Sequence, residues 1–334
     1  MIRLSTTVGL AAAIALAWTF WGFSRLAEAG PQTVDIVHVE RAPSGLDDEI
    51  WNGVPSFVIA VQGSGEAGGR QEEVVLRAVY TDSELFFLFR WKDPTRSVTK
   101  RSWVFDGREW QHLEGDEDRL AVLFEITRID KFATRSCAIV CHSPADLPRE
   151  KWVLATRSAG EKGDLWHWKA ARSAPYEYAD DTWLTVPGPL GEYEPVKHSG
   201  RRPDAGGGGD LKNELEDQSG PRYRQDPSRQ PSAPGFLLFD EAVEMRDYSG
   251  FKPGDVVPYR MPVKPSGSRA DVRALSRHAE GEWTVMLQRR LDTGHEDDVV
   301  FDPKKNYSFA VAVFDDAGDD HSKATEALLL KFLR

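Results

Sequence analysis

Short apolar runs divided by turn residues limit what this chain can fold into. Val74–Tyr80 and Glu84–Trp91 face each other across Thr81-Asp82-Ser83, and Leu85-Phe86-Phe87-Leu88-Phe89 in the second arm is apolar at every position. A strand without alternation needs cover on both faces. Further runs lie at Val34–Val39, Phe57–Val61, Arg119–Ile126, Trp283–Arg290, Tyr307–Phe314 and Leu328–Phe332, while helical patterns are few and short. One such pattern, Gly45–Trp51, reads as a helical turn with Trp51 plugging a core. Many short strands with turn signals between them predict an all-β chain, an antiparallel β-sandwich of jelly-roll type with a few short helices.

Two segments depart from that pattern. Leu4–Ser24 is an uncharged run between Arg3 and Arg25, and about 20 apolar residues suffice to cross a bilayer. Ala27-Glu28-Ala29 has the small-x-small form of a signal-peptide cleavage site. Residues 1–29 are therefore expected to be a transmembrane anchor or a signal peptide. Either places the rest, 34–334, on the periplasmic side of a cytoplasmic membrane. The second segment, about 187–234, is rich in Pro, Gly, Arg and Asp and includes Gly206–Gly209. It is expected to be an insertion within one sandwich. The net charge of −11 argues against a nucleic-acid partner, which would want a basic face.

Chemistry concentrates at Ser136-Cys137-Ala138-Ile139-Val140-Cys141-His142. It holds the only 2 cysteines among 334 residues. If Phe132–Val140 is helical, positions i and i+4 share a face, so both sulfurs would point one way, as two thioether bonds to one porphyrin require. His142 could then offer nitrogen to the iron. The usual attachment signal is C-x-x-C-H; this motif has one residue more. A Cys137–Cys141 disulfide, non-covalent haem and another metal stay open beside covalent haem. For a second axial ligand, His167 in Trp166-His167-Trp168 is the leading choice, with the indoles sealing a pocket. Lys169, Lys264 and Met261 are rivals. Alternation equally permits Trp166 and Trp168 to be core residues on one strand face. Met286 reads as core. The acidic runs Asp116–Asp118, Glu296–Asp298 and Asp315–Asp320 read as turns and solvated faces, and none fits the EF-hand loop.

The chain resembles the haem-binding domain of the ethylbenzene dehydrogenase type, grouped with cytochrome c-552 and DMSO-reductase-like haem subunits. The likeness rests on Leu46–Trp51, the Tyr80–Trp91 hairpin, Cys137–His142, Asp164–Ala170, Gly267–Val272, Gly281–Val285, Arg290–Gly294 and Asp297–Val299. It implies a β-sandwich holding one haem, b-type with Met and Lys ligands in the best-known members. It also implies an electron-transfer subunit beside a redox partner, a molybdenum oxidoreductase with its iron–sulfur subunit or a membrane cytochrome. With Cys137, Cys141 and His142 present, the expectation is haem c attached through both sulfurs, with haem b as the alternative. The functional expectation is an exported monohaem cytochrome, an electron carrier and not an enzyme. The same sandwich also serves sugar-binding modules, so the alternative is a carbohydrate- or ligand-binding module with a Cys137–Cys141 disulfide and no haem. Fold alone does not choose between them.

Overall fold

A computed structural model describes residues 31–63, 71–141, 153–188, 200–318, 321–324 and 327–333, without the side chains of Gln71 and Cys141. The expected leader at 1–29 and His142 lie outside the described residues. Among those described, no helix is long and apolar enough to cross a membrane.

Thirteen strands form the main sheet: β1 (Gln32–His38), β2 (Phe57–Gly63), β3 (Gln71–Tyr80), β4 (Glu84–Lys92), β5 (Arg119–Glu125), β6 (Gly163–Lys169), β7 (Asp180–Leu184), β8 (Arg201–Pro203), β9 (Arg273–Ala279), β10 (Glu282–Arg290), β11 (Asn306–Phe314), β12 (Ser322–Ala324) and β13 (Leu328–Leu333). Their order is β8-β7-β6-β5-β11-β12-β2-β3-β4-β10-β9. β1 runs parallel to β13 and to β3, and β13 also pairs β11. The remaining ladders are antiparallel. Between β11 and β3 the sheet thus has two routes, through β12–β2 and through β13–β1. This folds it into two facing layers, β8-β7-β6-β5-β11 and β2-β3-β4-β10-β9.

The core between the layers is aromatic. Phe87 of β4 meets Phe124 of β5 and Trp166 of β6 with ring centroids 6.2 and 6.0 Å apart. Trp168 packs against Trp91 and Trp283 at 6.1 and 4.9 Å. β4 is covered on both faces, as its sequence requires. Leu85, Phe87, Phe89 and Trp91 enter this core, while Phe86 and Leu88 enter a second cluster with Trp51, Val54 and Met286. Each such side chain contributes roughly 1.5–3 kcal/mol by leaving water. Trp51 reaches its place on a 3-10 turn, Glu49–Gly53, capped by Asp48, whose carboxylate accepts from Ile50 N. The hairpin turn is held by Thr81 Oγ1, which accepts from Glu84 N at 3.1 Å. Residues 200–234 carry β8 and two further short strands, Asp210–Lys212 and Tyr223–Gln225, paired with Arg260–Pro262 and Ala242–Glu244.

The segment around the cysteines is not one helix. It is two turns, α1 (Phe132–Arg135) and α2 (Ala138–Cys141). Ser136 between them takes φ 53° and ψ −151°, which no helix continues. Cys137 stands at this break, ahead of α2. The shared-face argument, which needs positions 137 and 141 in one continuous helix, therefore fails.

Candidate functional site

β6 carries the sequence Gly-Asp-Leu-Trp-His-Trp-Lys, and the period of 2 along a strand sends its side chains into two environments. Trp166 and Trp168 turn into the main core, and Leu165 turns outward into a cluster with Phe132, Cys137, Val140 and Leu184. His167 and Lys169 share the outward face. His167 is 7 % exposed, and neither ring nitrogen takes part in a hydrogen bond among the described residues. Burial, with the charges of Lys169 and Arg201, holds its pKa well below the ordinary value, so the ring is neutral. Phe314 covers it, 5.6 Å between centroids. Lys169 is paired with Asp180 of β7. Asp180 also accepts from Arg201 Nη2 at 3.1 Å and from Arg269 Nε at 2.6 Å. Burial would raise this carboxyl, but Lys169, Arg269 and Arg201 outweigh it and keep it far below the usual carboxylate range.

The inward face has the opposite balance. Asp164 of β6 and Asp181 of β7 are fully buried. Among the described residues their one close cation is Arg289 of β10, 1 % exposed, which crosses from the other layer with its guanidinium carbon 5.1 Å from the centre of the Trp166 ring. Arg289 donates to Asp164 Oδ2 at 2.9 Å and to Val299 O at 3.0 Å, and lies 3.2 Å from Asp298 Oδ2. Val299 N also donates to Asp164 Oδ2, at 3.0 Å. Burial and the charge of Asp164 push Asp181 well above the ordinary value against the pull of Arg289. Burial raises Asp164 to about 6, and burial with Asp297 and Asp164 raises Asp204 to about 8.

This centre adjoins a cleft. Phe301 N donates to Leu291 O at 2.8 Å, pinching the loop between β10 and β11. That loop, the end of β5 and the start of β11 enclose about 570 Å³. Glu125, Asp292, Glu296 and Asp298 line it with His295, Lys305 and Tyr307. Tyr307 is fixed by its hydroxyl, which donates to Val300 O at 3.0 Å and accepts from Asp302 N at 2.5 Å. His295 Nδ1 lies 2.8 Å from Asp271 Oδ2. Asp298, 3 % exposed, belongs both to the cleft and to the buried centre.

The sequence reading missed this site because it took Glu296–Asp298 as a solvated turn. Two signals mark it: Arg289 follows the apolar run Val285-Met286-Leu287 by two residues, and Asp164 stands beside the apolar Leu165-Trp166. A buried charge requires a partner.

The described residues expected to hold a cofactor occupy different surroundings. Cys137 is 3 % exposed, packed among Phe132, Val140 and Leu165. The side chain of Cys141 and all of His142 lie outside the described residues. Trp166 and Trp168 fill the sandwich core and are not the walls of a pocket. Lys169 is engaged by Asp180. Met261 is 1 % exposed, in a two-strand ladder opposite Leu211. Lys264 is exposed on the loop that follows.

Fold and site define a class: a two-layer antiparallel β-sandwich domain with an acidic cleft at one mouth. More narrowly, the chain belongs to the ethylbenzene dehydrogenase family, whose model matches residues 48–326. No curated protein matches it. Among solved structures it is similar to a candidate carbohydrate-binding protein from Bacteroides uniformis, at 8 % identity and a TM-score of 0.39 over 90 % of this chain and 99 % of that one. It is also similar to a family 9 carbohydrate-binding module from Caldicellulosiruptor kristjanssonii. The cellotriose complex gives 10 % identity and a TM-score of 0.35 over 91 % and 95 % of the two chains. The glucose complex gives 9 % and 0.35 over 91 % and 97 %.

The expectation of a haem c electron carrier is corrected. The motif is one residue too long for C-x-x-C-H, the break at Ser136 removes the common face, Cys137 is sealed in an apolar cluster, and the two indoles meant to flank the porphyrin are core. The haem b alternative leaned on the same Trp pocket and on Lys169, Lys264 and Met261, which are respectively ion-paired, exposed and buried in a ladder. The cytochrome, iron and electron-transport readings fall with it.

Proposed function

We propose that this chain is an exported, non-catalytic binding module whose cleft takes a neutral, polyhydroxylated ligand, a carbohydrate. The cleft of about 570 Å³ at Glu125, Asp292, His295, Glu296, Asp298, Lys305 and Tyr307 carries this reading. Small-molecule pockets span roughly 300–1,000 Å³ and are mostly apolar; this one is lined with charge. Carboxylates accept hydrogen bonds from two hydroxyls at once, which suits vicinal diols. Four carboxylates against Lys305 repel anions, so acidic sugars are disfavoured. The apolar side of a sugar ring has Val300, 50 % exposed, and Tyr307 to lie against. Export rests on the uncharged run Leu4–Ser24.

Affinity electrophoresis through gels with neutral polysaccharides tests this, with calorimetry on glucose and cellotriose. Retardation by a neutral polysaccharide, absent with a polyuronate and lost in Asp292→Ala or Glu296→Ala, is the expected result. Both side chains are exposed, so these variants keep the fold. Unretarded migration of the folded protein through every neutral gel would overturn the reading.

A further inference from the structure

Beside the cleft, the buried acidic centre contains more oxygen ligands than the protein satisfies. Asp164, Asp181 and Asp298 each place a carboxylate oxygen within 4.8 Å of the others, and Asp204 and Asp297 do the same around Asp298. Calcium binds oxygens at about 2.3–2.6 Å, so two ligands of one ion lie at most about 5 Å apart. The spacing meets that limit.

The second observation is which atoms stay unused. Arg289 and Val299 N engage Asp164 Oδ2, and Arg289 with Thr293 engages Asp298 Oδ2. Asp164 Oδ1, Asp298 Oδ1 and both oxygens of Asp181 accept no hydrogen bond among the described residues, although all three residues are at most 3 % exposed. Both oxygens of Asp204, also 3 % exposed, are in the same state. Leaving a buried charged group without a partner costs several kcal/mol. Protons shared among the carboxyls relieve this partly; a cation relieves it fully. Three carboxylates and one guanidinium leave two negative charges, which one divalent ion cancels.

We propose that Asp164, Asp181 and Asp298 bind a calcium ion, with Asp204 and Asp297 completing the acidic wall on the far side of Asp298. An all-oxygen donor set selects a hard cation over zinc, which takes nitrogen and sulfur. Four unused carboxylate oxygens, two of them from Asp181, suit the flexible oxygen shell of calcium better than magnesium, which demands a near-ideal octahedron and keeps its waters. The ion enters through the cleft, where Asp298 is the shared wall, and water from the cleft fills its remaining positions. The ion would tie β6, β7 and the loop after β10 together. The site does not depend on the carbohydrate reading.

The test uses the full-length protein stripped with EDTA, with no sugar present. Millimolar calcium is expected to raise the thermal midpoint by about 5 °C, and magnesium by clearly less. Terbium should bind with tryptophan-sensitised emission, Trp166 being close, and calcium should displace it. Asp181→Asn should fold and lose both responses. A stripped, folded protein whose midpoint ignores calcium and that shows no sensitised terbium emission would overturn the proposal, as would Asp181→Asn that keeps both. If that variant fails to fold, terbium binding and calcium competition on the wild type decide the matter, with Asp298→Asn as the second variant. Sugar binding is read separately on gels, so either result can fail alone.

Discussion

Asp180 and Asp181 are neighbours on β7, chemically identical and both buried, yet they live in opposite electrostatic worlds. Asp180 points outward to Lys169, Arg201 and Arg269, and its carboxyl is held far below the ordinary range. Asp181 points inward to Asp164, Asp204 and Asp298, with Arg289 as the opposing charge, and is pushed well above it. The first is a carboxylate answered by three cations. The second is a surplus of one sign at a cleft. Burial alone therefore does not mark a functional carboxylate; the balance of the charges around it does.

The comparison breaks most visibly at Asp180. Replacing it with Ala strands Lys169, Arg201 and Arg269 and should cost about 3–5 kcal/mol, read as a lower denaturant midpoint. A loss below 1 kcal/mol would mean that the network is ornamental. Next comes Arg289→Met, which takes from the inward centre the cation that answers it. A loss of about 3 kcal/mol in EDTA is expected, with a substantial part restored by calcium; a loss that calcium leaves unchanged or deepens would reverse the logic.

A third case is pH. Asp118 is fully buried, and burial raises it to about 6 from 3.8 even though Ser97 N, Trp283 Nε1 and Asp316 N donate to it. From pH about 4 to about 6 the folded carboxyl keeps a proton that the unfolded chain has lost. Its contribution to stability therefore falls as pH rises through that window and is level above it, by at most about 3 kcal/mol. Asp180, depressed on folding, acts with the opposite sign, stabilising above the unfolded carboxylate range and losing that contribution in acid. Asp118→Asn should flatten the slope between pH 4 and 6 in unfolding curves, and at neutral pH cost about 1–3 kcal/mol because its amide opposes one of the donors.

Smaller still, Asp181→Asn in EDTA should be neutral or stabilising by up to about 1 kcal/mol, since it removes a like charge. A loss as large as that of Asp180→Ala would erase the contrast. Last, Arg277→Ala removes an exposed pair with Asp47 and should leave the midpoint unchanged.

The hairpin of β3 and β4 was legible because an all-apolar arm has one solution, cover on both faces. The motif Asp164–Lys169 was legible only in part. Alternation separated Trp166 and Trp168 from His167, but could not say whether the indoles lined a pocket or filled a core. The cysteine argument failed on one dihedral: spacing of 4 implies a shared helical face only if Ser136 is helical. The acidic centre was hidden because Asp164, Asp181, Arg289 and Asp298 are far apart in sequence, and each looked like a local turn or strand residue.

By itself the sequence determined the all-β class, the main hairpin, the turn that carries Trp51 and the alternation along β6, because these rest on patterns within a few residues. Tertiary structure alone decided that Asp180 is satisfied and Asp181 is not. Charge interactions act through space at a few ångströms, and only the meeting of β6, β7, β10 and the loop after it brings those groups that close.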